Sequence, residues 1–319
     1  MRYLITGAAG FVAGHLIEHI FRTDSEAAIT CLDLAEPDYS FLDGKMHDSI
    51  SLIKTDLLSM SDLLKTLESA RPRFIIHLAS FSSVAYSWQH PIESFMNNSN
   101  IFLNLLDAVK AVDPCIRVLS VGSSEQYGII TPEMIPLRET APQNPASPYA
   151  VARVAQEQMG AVFAHGFKLD IVSTRSFNHF GPRQTERFVL SGLARQVAQI
   201  KKGRQEPVIR AGDIRIIRDF IDVRDVVKAY LLLLRKGTSG EVYNVCSGTG
   251  RTIAECLDTL MRIADIRCEI RKSDSLVRPV DNPVIVGDNG KIHAWTGWLP
   301  KISFESGLAD LFEYWMRRL

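Results

Sequence analysis

A glycine-rich turn near the start of the chain is the feature that most restricts the fold. Residues 1–14 read MRYLITGAAGFVAG, so a short apolar run stops at Gly7 and Gly10 follows it. From Phe11 onward, apolar residues recur at helical spacing. Gly7 permits a tight turn, Gly10 lets backbone approach a ligand, and Ala13 is small where helix and strand must pack. The order strand, turn, helix predicts a parallel α/β fold with a pyrophosphate bound at the helix N-terminus.

A carboxylate follows the glycine turn at the spacing that a dinucleotide site requires. The second apolar run, residues 28–34, contains Asp33. This is about twenty residues past the glycines, where a carboxylate accepts hydrogen bonds from the adenosine ribose hydroxyls. A negative charge there also repels a 2′-phosphate. We therefore predict NAD as the cofactor and keep NADP as a possibility.

Strands and helices alternate through the first half of the chain, which favours a doubly wound parallel sheet. Further strands are predicted at 51–54, 73–78, 116–121 and 168–174, and helices at 61–69, 97–109 and 149–163. Ligands of such sheets bind beyond the carboxyl ends of the strands. The residues that should meet in that crevice are Gly7, Asp33, Asp56, Ala79, Ser123 and Ser176. We predict a Rossmann domain over residues 1–174, to which 220–245 returns, and a smaller C-terminal lobe over 175–319.

Composition excludes several classes of protein. Among 319 residues, 36 are Lys or Arg and 36 are Asp or Glu, so the balance gives no general attraction to nucleic acid or to an anionic membrane. No apolar run approaches the length of a membrane span or resembles a signal peptide. Five scattered cysteines predict reduced core thiols of a cytoplasmic protein. His77 and His179 lack acidic or cysteine neighbours at ligand spacing, so we predict no metal site.

The candidate chemistry lies where the fifth strand meets the next long helix. Ser123, Ser124 and Glu125 follow the strand, while Tyr149 and Arg153 are one helical turn apart. Tyrosine ordinarily ionises at about pH 10, so a proton transfer near neutrality needs an adjacent positive charge. A hydroxyl, a tyrosine and a cation together can move a proton to or from a sugar oxygen during hydride transfer.

These motifs resemble the extended short-chain dehydrogenases/reductases that act on nucleotide sugars. The shared features are Thr6–Ala13, Asp33, Asp56, His77–Ser80, Asn98, Ser123 ahead of Tyr127-Gly128, Tyr149 with Arg153, Phe177–Gln184, Arg218–Asp225, Tyr243–Gly248, Arg278-Pro279 and Gly297–Pro300. They cover nearly the whole chain. Within the superfamily the sequence is most similar to the GDP-mannose branch, and there to reductases of GDP-4-dehydro-6-deoxy-D-mannose.

The resemblance implies three groups of site residues. The catalytic group is Ser123, Glu125, Tyr149 and Arg153. The cofactor group is Gly7, Gly10, Phe11, Val12, Asp33, Leu34, Asp56, Leu57, Leu78, Ala79, Ser80, Asn98, Tyr149, Arg153 and Ser176. The group that binds the GDP-sugar substrate is Ser83, Ser124, Asn178, Arg218, Arg278 and Asp281.

The implied activity is reduction of a 4-keto sugar to GDP-D-rhamnose, with Tyr149 as proton donor and a homodimer as the assembly. One departure from the family is Arg153, where its members carry lysine; arginine is longer, planar and always charged. Another is Asp33, where NADP-using reductases of this type tend to have a small or basic residue. Because related dehydratases carry the equivalent of Glu125, a 4,6-dehydratase or epimerase that retains its NAD stays open. So does a catalytically silent protein that binds a sugar nucleotide.

Overall fold

The computed structural model describes residues 1–273 and 282–319. The strands are β1 (Arg2–Thr6), β2 (Ala28–Asp33), β3 (Ile50–Lys54), β4 (Phe74–His77), β5 (Arg117–Ser123), β6 (Asp170–Ser176), β7 (Asn178–Phe180), β8 (Val208–Ala211), β9 (Ile217–Asp222), β10 (Val242–Val245), β11 (Gly250–Thr252), β12 (Glu269–Lys272) and β13 (Val284–Ile285). The helices are α1 (Phe11–Thr23), α2 (Gly44–Asp48), α3 (Met60–Ala70), α4 (Val84–Gln89), α5 (Pro91–Val112), α6 (Pro148–Gly166), α7 (Val189–Lys201), α8 (Val223–Lys236), α9 (Ile253–Ala264), α10 (Gly290–Thr296) and α11 (Phe304–Arg318).

The larger sheet has seven parallel strands in the order β10-β6-β5-β4-β1-β2-β3. The strand order reverses between β1 and β4, where Thr6 pairs with His77. A cleft opens at such a switch point because the chains leaving the two strands turn to opposite faces of the sheet. The predicted doubly wound parallel sheet is confirmed.

Each face of this sheet has its own apolar core. On one face α1 and α8 pack against it, with Ile17 and Leu233 fully buried. On the other face, α3 and α5 contribute Leu63 and Phe102. Because both faces are covered, the strands carry near-continuous apolar runs, which is how they were found in the sequence.

Most predicted elements occur with shifted ends. The helix predicted over 97–109 begins at Pro91, and the strand predicted over 168–174 runs from Asp170 to Ser176. Lys168 has a φ of 60°, so the chain turns there before the strand begins. All five cysteines are free. Cys31, Cys246 and Cys256 are buried as predicted, whereas Cys268 is half-buried and Cys115 is exposed, so these two differ from the predicted core thiols.

The second half of the chain forms a smaller lobe. Strands β11, β9 and β13, with β7 beside β9, form one sheet, and β12 pairs with β8. Helices α7, α9 and α11 surround a separate apolar core that contains Leu193, Leu257 and Leu308. Helix α8 and strand β10 return to the larger sheet, because α8 packs on α1 and β10 pairs with β6. The cleft therefore lies between a parallel sheet and a lobe built from later segments.

Candidate active site

A cleft of about 630 Å³ lies beyond the carboxyl ends of the larger sheet. Most residues that the sequence proposed for the site line it. These are Gly7, Gly10, Phe11, Val12, Asp33, Leu34, Asp56, Leu57, Leu78, Ala79, Ser80, Ser83, Ser123, Ser124, Glu125, Tyr149, Arg153, Ser176 and Asn178. The topology thus brings together side chains that are up to 171 positions apart in the sequence, from Gly7 to Asn178.

The glycine turn fits closely against the neighbouring strand end. Gly7 has a φ of 71°, and a Cβ at this position would lie 2.6 Å from the backbone nitrogen of Ala79. The Gly7 N–H donates to the Leu32 carbonyl, and the Gly10 N–H donates to the Gly7 carbonyl. A side chain at Gly7 would therefore displace the β4 end that forms part of the cleft wall.

The first turn of α1 faces the cleft without a negative charge. Gly10 at the N-cap has no side chain, and the turn carries no acidic residue. Phe11 and Val12 of this turn line the cleft. Backbone N–H groups and the helix dipole at such an end favour an anion. The cradle therefore fits the pyrophosphate of NAD(P), with Gly7, Gly10, Phe11 and Val12 as the residues that would hold it.

Asp33 stands at the end of β2, beside the glycine turn. Its Oδ2 accepts a hydrogen bond from Ala9 N at 2.9 Å, and its Oδ1 accepts one from Ala35 N at 3.0 Å. Asp56, at the end of β3, accepts a hydrogen bond from Leu58 N. Leu34 exposes 61% of its surface at this end of the cleft. A half-buried carboxylate, an exposed carboxylate and an apolar surface suit an adenosine.

Tyr149 and Arg153 lie near the start of α6 because this helix has a strong N-terminal signal. Ser147 Oγ accepts a hydrogen bond from Ala150 N at 3.1 Å, and Pro148 occupies the first helical position. One turn later, Arg153 Nε donates to Tyr149 Oη at 3.2 Å. Arg153 Nη1 donates to the Val121 carbonyl at 3.1 Å, and the arginine is 4% exposed. A buried cation therefore contacts the phenol directly.

Ser123 is the last residue of β5 and is fixed from two sides. Its backbone N–H donates to Gln126 Oε1 at 2.8 Å, and its Oγ accepts from Glu125 N at 3.2 Å. Gln126 in turn donates to Glu157, which forms a bidentate buried ion pair with Arg175. This network joins β5, β6 and α6, so it sets the distance between the serine end of the cleft and the tyrosine helix.

Two buried titratable groups surround the pair. Burial, reinforced by the charge of Arg153, lowers the pKa of His77 to about 3. His77 is therefore a neutral group that shares a hydrogen bond with Thr6 Oγ1 at 2.9 Å. Burial raises the pKa of Tyr230, a second tyrosine of the cleft that the sequence did not indicate. Its hydroxyl pairs with Ser176 Oγ at 2.7 Å, which makes it a neutral hydrogen-bonding group.

Two predicted site residues lie outside the cleft lining. Asn98 is 1% exposed and uses its amide on the backbone of Phe81, so it holds the chain after β4 in place. The neighbouring Asn97 lines the cleft instead. Arg218 is buried and donates to the carbonyls of Ile217 and Asn282. The remaining two, Arg278 and Asp281, lie outside the described residues.

Sequence reasoning missed most of the wall opposite the glycine turn. The segment before α7 and its first residues line the cleft, namely Gln184, Thr185, Arg187, Phe188, Val189 and Leu190. Residues 183–187 are polar in the sequence, RQTER, but this pattern does not indicate which of them would face a ligand. Arg187 is an exposed cation in this wall.

Neither a metal cluster nor a membrane span occurs in the part of the chain that the structure describes. Within residues 1–273 and 282–319, His, Cys, Asp and Glu side chains form no group of three that could hold a metal ion. In the same ranges, every helix is too short or too polar to cross a bilayer.

Known proteins match the chain over its full length. Residues 4–311 fit the model of the family described as GDP-mannose 4,6 dehydratase. GDP-6-deoxy-D-mannose reductase of Pseudomonas aeruginosa is 32% identical, and the match covers 100% of this chain and 98% of that protein. The structure of RMD from Pseudomonas aeruginosa complexed with NADPH has a TM-score of 0.87 at 31% identity, covering 100% and 99% of the two chains. UDP-glucose 4-epimerase of Thermus thermophilus in complex with NAD has a TM-score of 0.87 at 28% identity and full coverage of both chains.

These relatives share the parallel sheet and bind NAD or NADPH, in agreement with the cradle at α1. They are reductases and epimerases of nucleotide sugars. The chain is thus an enzyme of the GDP-mannose 4,6-dehydratase family, within the NAD(P)-dependent extended short-chain dehydrogenases/reductases.

Proposed function

We propose that this enzyme reduces the 4-keto group of GDP-4-dehydro-6-deoxy-D-mannose to give GDP-D-rhamnose. The observation that carries the proposal is the direct contact between Arg153 Nε and Tyr149 Oη in a cleft whose other end fits a dinucleotide. The similarity to a GDP-6-deoxy-D-mannose reductase supports the choice of substrate.

Tyr149, Arg153 and Ser123 have different roles in the proposed carbonyl reduction. When bound, NAD(P)H supplies a hydride for the carbonyl carbon. Tyr149 Oη gives its proton to the carbonyl oxygen, and the Arg153 charge stabilises the phenolate that remains. Ser123 Oγ lines the same wall and can donate a hydrogen bond to that oxygen while it accepts one from Glu125 N.

We further propose NADH as the preferred reductant. Asp33 places a partly accessible carboxylate at the end of β2, where it would repel a 2′-phosphate. The similar RMD structure from Pseudomonas aeruginosa contains NADPH, so a preference for NADH would distinguish this enzyme from that relative.

The test is incubation with GDP-4-dehydro-6-deoxy-D-mannose and either NADH or NADPH, following cofactor absorbance and product stereochemistry. We expect one reduced cofactor to be consumed for each sugar. Tyr149→Phe removes the proton donor and should lower kcat by about 10²–10⁴-fold. Tyr314→Phe, on the distant helix α11, is the matched control and should retain full activity.

Glu125 supports a second candidate function. Its carboxylate lines the same cleft and is a potential base for a 4,6-dehydratase or an epimerase that retains NAD. Conversion of a GDP-sugar without net consumption of cofactor would favour that activity. If wild type and Tyr149→Phe both bind the GDP-sugar and neither turns it over, the protein is a silent binder and the enzyme assignment is wrong.

We also propose a homodimer and a cytoplasmic location. Helices α5 and α6 pack side by side and expose apolar residues, among them Ile92, Met96 and Val162. Pairing with a second copy would cover this surface. Light scattering should therefore give a mass of two chains.

The five free thiols support a reducing compartment, which cell fractionation tests.

A further inference from the structure

Gln156 lies on the same face of α6 as Tyr149 and Arg153, one turn beyond the arginine. It is 1% exposed. Its Nε2 donates to Ser120 Oγ at 2.8 Å and to the Val121 carbonyl at 3.2 Å. Its Oε1 accepts a hydrogen bond from Arg153 Nη1. Both ends of this buried amide are therefore occupied.

Two hydrogen bonds hold Arg153 at one guanidinium nitrogen, Nη1. Nη1 donates to Gln156 and also to the Val121 carbonyl at 3.1 Å. Because the guanidinium is planar and rigid, fixing Nη1 also fixes the direction of Nε. That nitrogen then points to Tyr149 Oη, which it reaches at 3.2 Å.

Gln156 is attached by its Nε2 hydrogen bonds to a strand in the interior of the larger sheet. Ser120 and Val121 belong to β5, which pairs with β4 on one side and β6 on the other. A side chain tied to a central strand moves less than one that contacts only its own helix. Without this tie, the long arginine would lose more rotamer entropy on meeting Tyr149.

We infer that Gln156 is a positioning residue, which orients Arg153 so that its Nε bonds the catalytic tyrosine. The inference rests on the proposed function, since it assumes that Tyr149 transfers the proton. It also accounts for arginine at position 153: one guanidinium nitrogen, Nη1, meets the glutamine and the Val121 carbonyl while a second, Nε, meets Tyr149 Oη, and a lysine has only one nitrogen for these partners.

The test compares Gln156→Met, which keeps the length of the side chain and removes both hydrogen-bonding ends, with Gln156→Glu, which keeps an acceptor for Arg153. Misplacement of a reacting group can cost up to about a hundredfold, and we expect Gln156→Met to lose about tenfold in kcat. KM for both substrates should stay within about twofold, because Gln156 itself is not among the residues that line the cleft. Gln156→Glu should recover most of the loss. Gln158→Met, an exposed change on the same helix, is the control and should match wild type.

Thermal denaturation and NAD(P)H binding, followed by cofactor fluorescence, separate this role from a merely structural one. We expect Gln156→Met to bind the cofactor as wild type does. If its fold is lost, Ser120→Ala, which removes only one contact of the glutamine, replaces it and should lower kcat by a smaller factor.

A folded Gln156→Met with wild-type kcat would overturn the inference, as would a change confined to KM. Failure of the proposed function is a different result: wild type itself would consume neither reduced cofactor. In that case the same variants are compared for conversion of GDP-mannose, because a dehydratase or epimerase would use the same tyrosine. An unchanged rate of Gln156→Met there, or no turnover by wild type, counts against Gln156.

Discussion

The two sides of the cleft are built in different ways. The cofactor side comes from turns that directly follow β1, β2 and β4, and much of it is backbone and small side chains such as Gly7, Gly10 and Ala79. The opposite side comes from Asn178, the segment at 184–190 and Phe220, and it includes the larger residues Arg187, Phe188 and Phe220. A close approach between two backbone segments, or a left-handed φ, demands glycine, whereas exposed side chains can be replaced with less disturbance.

The two sides of the cleft should therefore differ in how well they tolerate amino-acid substitutions. At Gly7 the φ angle and the contact with β4 leave no room for a Cβ atom. In the opposite wall, Thr185, Arg187, Phe188 and Val189 are exposed and can adjust to a ligand. The cofactor side should therefore respond to the smallest substitutions with the largest effects.

The largest effect is expected for Gly7→Ala. The added Cβ would lie 2.6 Å from Ala79 N, and the left-handed backbone adds strain, so we expect a loss of about 3 kcal/mol in the free energy of unfolding. Affinity for NAD(P)H should fall by more than about tenfold because the cradle is displaced. Denaturant unfolding and cofactor titration measure the two effects.

Gly44→Ala is the matched control, since a Cβ there has no heavy atom within 4 Å among the described residues. It should leave the free energy of unfolding and the affinity for NAD(P)H nearly unchanged. Wild-type cofactor affinity in Gly7→Ala would show that the turn is not the constraint that the geometry indicates.

An intermediate effect is expected for Asp33→Asn. The amide keeps one acceptor for the backbone at Ala9 or Ala35 but removes the negative charge. The ratio of kcat/KM for NADH to that for NADPH should fall by about tenfold, or about 1.4 kcal/mol.

Asp38→Asn, in the exposed loop after β2, changes the same charge in the same segment and should leave the ratio as it is. Equal ratios in wild type and Asp33→Asn would mean that Asp33 does not select the cofactor. The adenosine end would then be less specific than its carboxylate suggests.

The smallest effect is expected on the opposite wall, for Arg187→Gln. The exposed guanidinium can meet a diphosphate charge, but water and mobility reduce its contribution, so KM for the GDP-sugar should rise by about fivefold. The value of kcat should hold, because we assign Arg187 to substrate binding and not to proton transfer.

Arg215→Gln removes another exposed arginine, paired with Asp213 outside the cleft, and serves as the control for net charge. A loss in Arg187→Gln as large as that of Gly7→Ala would contradict the contrast between the two walls. Steady-state kinetics with varied GDP-sugar measures it.

The comparison explains which site residues could be read in the sequence. The glycine turn, Asp33 and the spacing of Tyr149 and Arg153 are local features, so their places in the cleft follow from the order of the elements. Asn98 lies in a helix that the sequence predicted, and Arg218 lies in β9 within a family motif. Their side chains nevertheless form hydrogen bonds with backbone atoms of Phe81, Ile217 and Asn282, which the sequence motifs do not indicate.

The positioning residues had no such local signal. Gln156 and Glu157 look like two polar residues of an ordinary helix, yet one binds Arg153 and the other binds Arg175 and Gln126. Apart from Arg153, which is on the same helix, their partners lie on β5, on β6 and in the turn after β5. A pattern within one helix cannot indicate which polar residue will meet a strand from a different part of the chain.

The sequence by itself determined the parallel sheet, the cradle at Gly7–Phe11 and the pairing of Tyr149 with Arg153 on one helix. Each follows from short-range rules: the freedom of glycine, the period of strand and helix, and the reach of one helical turn. Only the tertiary structure decided that Arg153 contacts the tyrosine directly, that Gln156 holds it and that Arg187 belongs to the opposite wall. Those outcomes depend on which buried polar groups find partners once distant segments pack, because an unpaired donor in the core is costly.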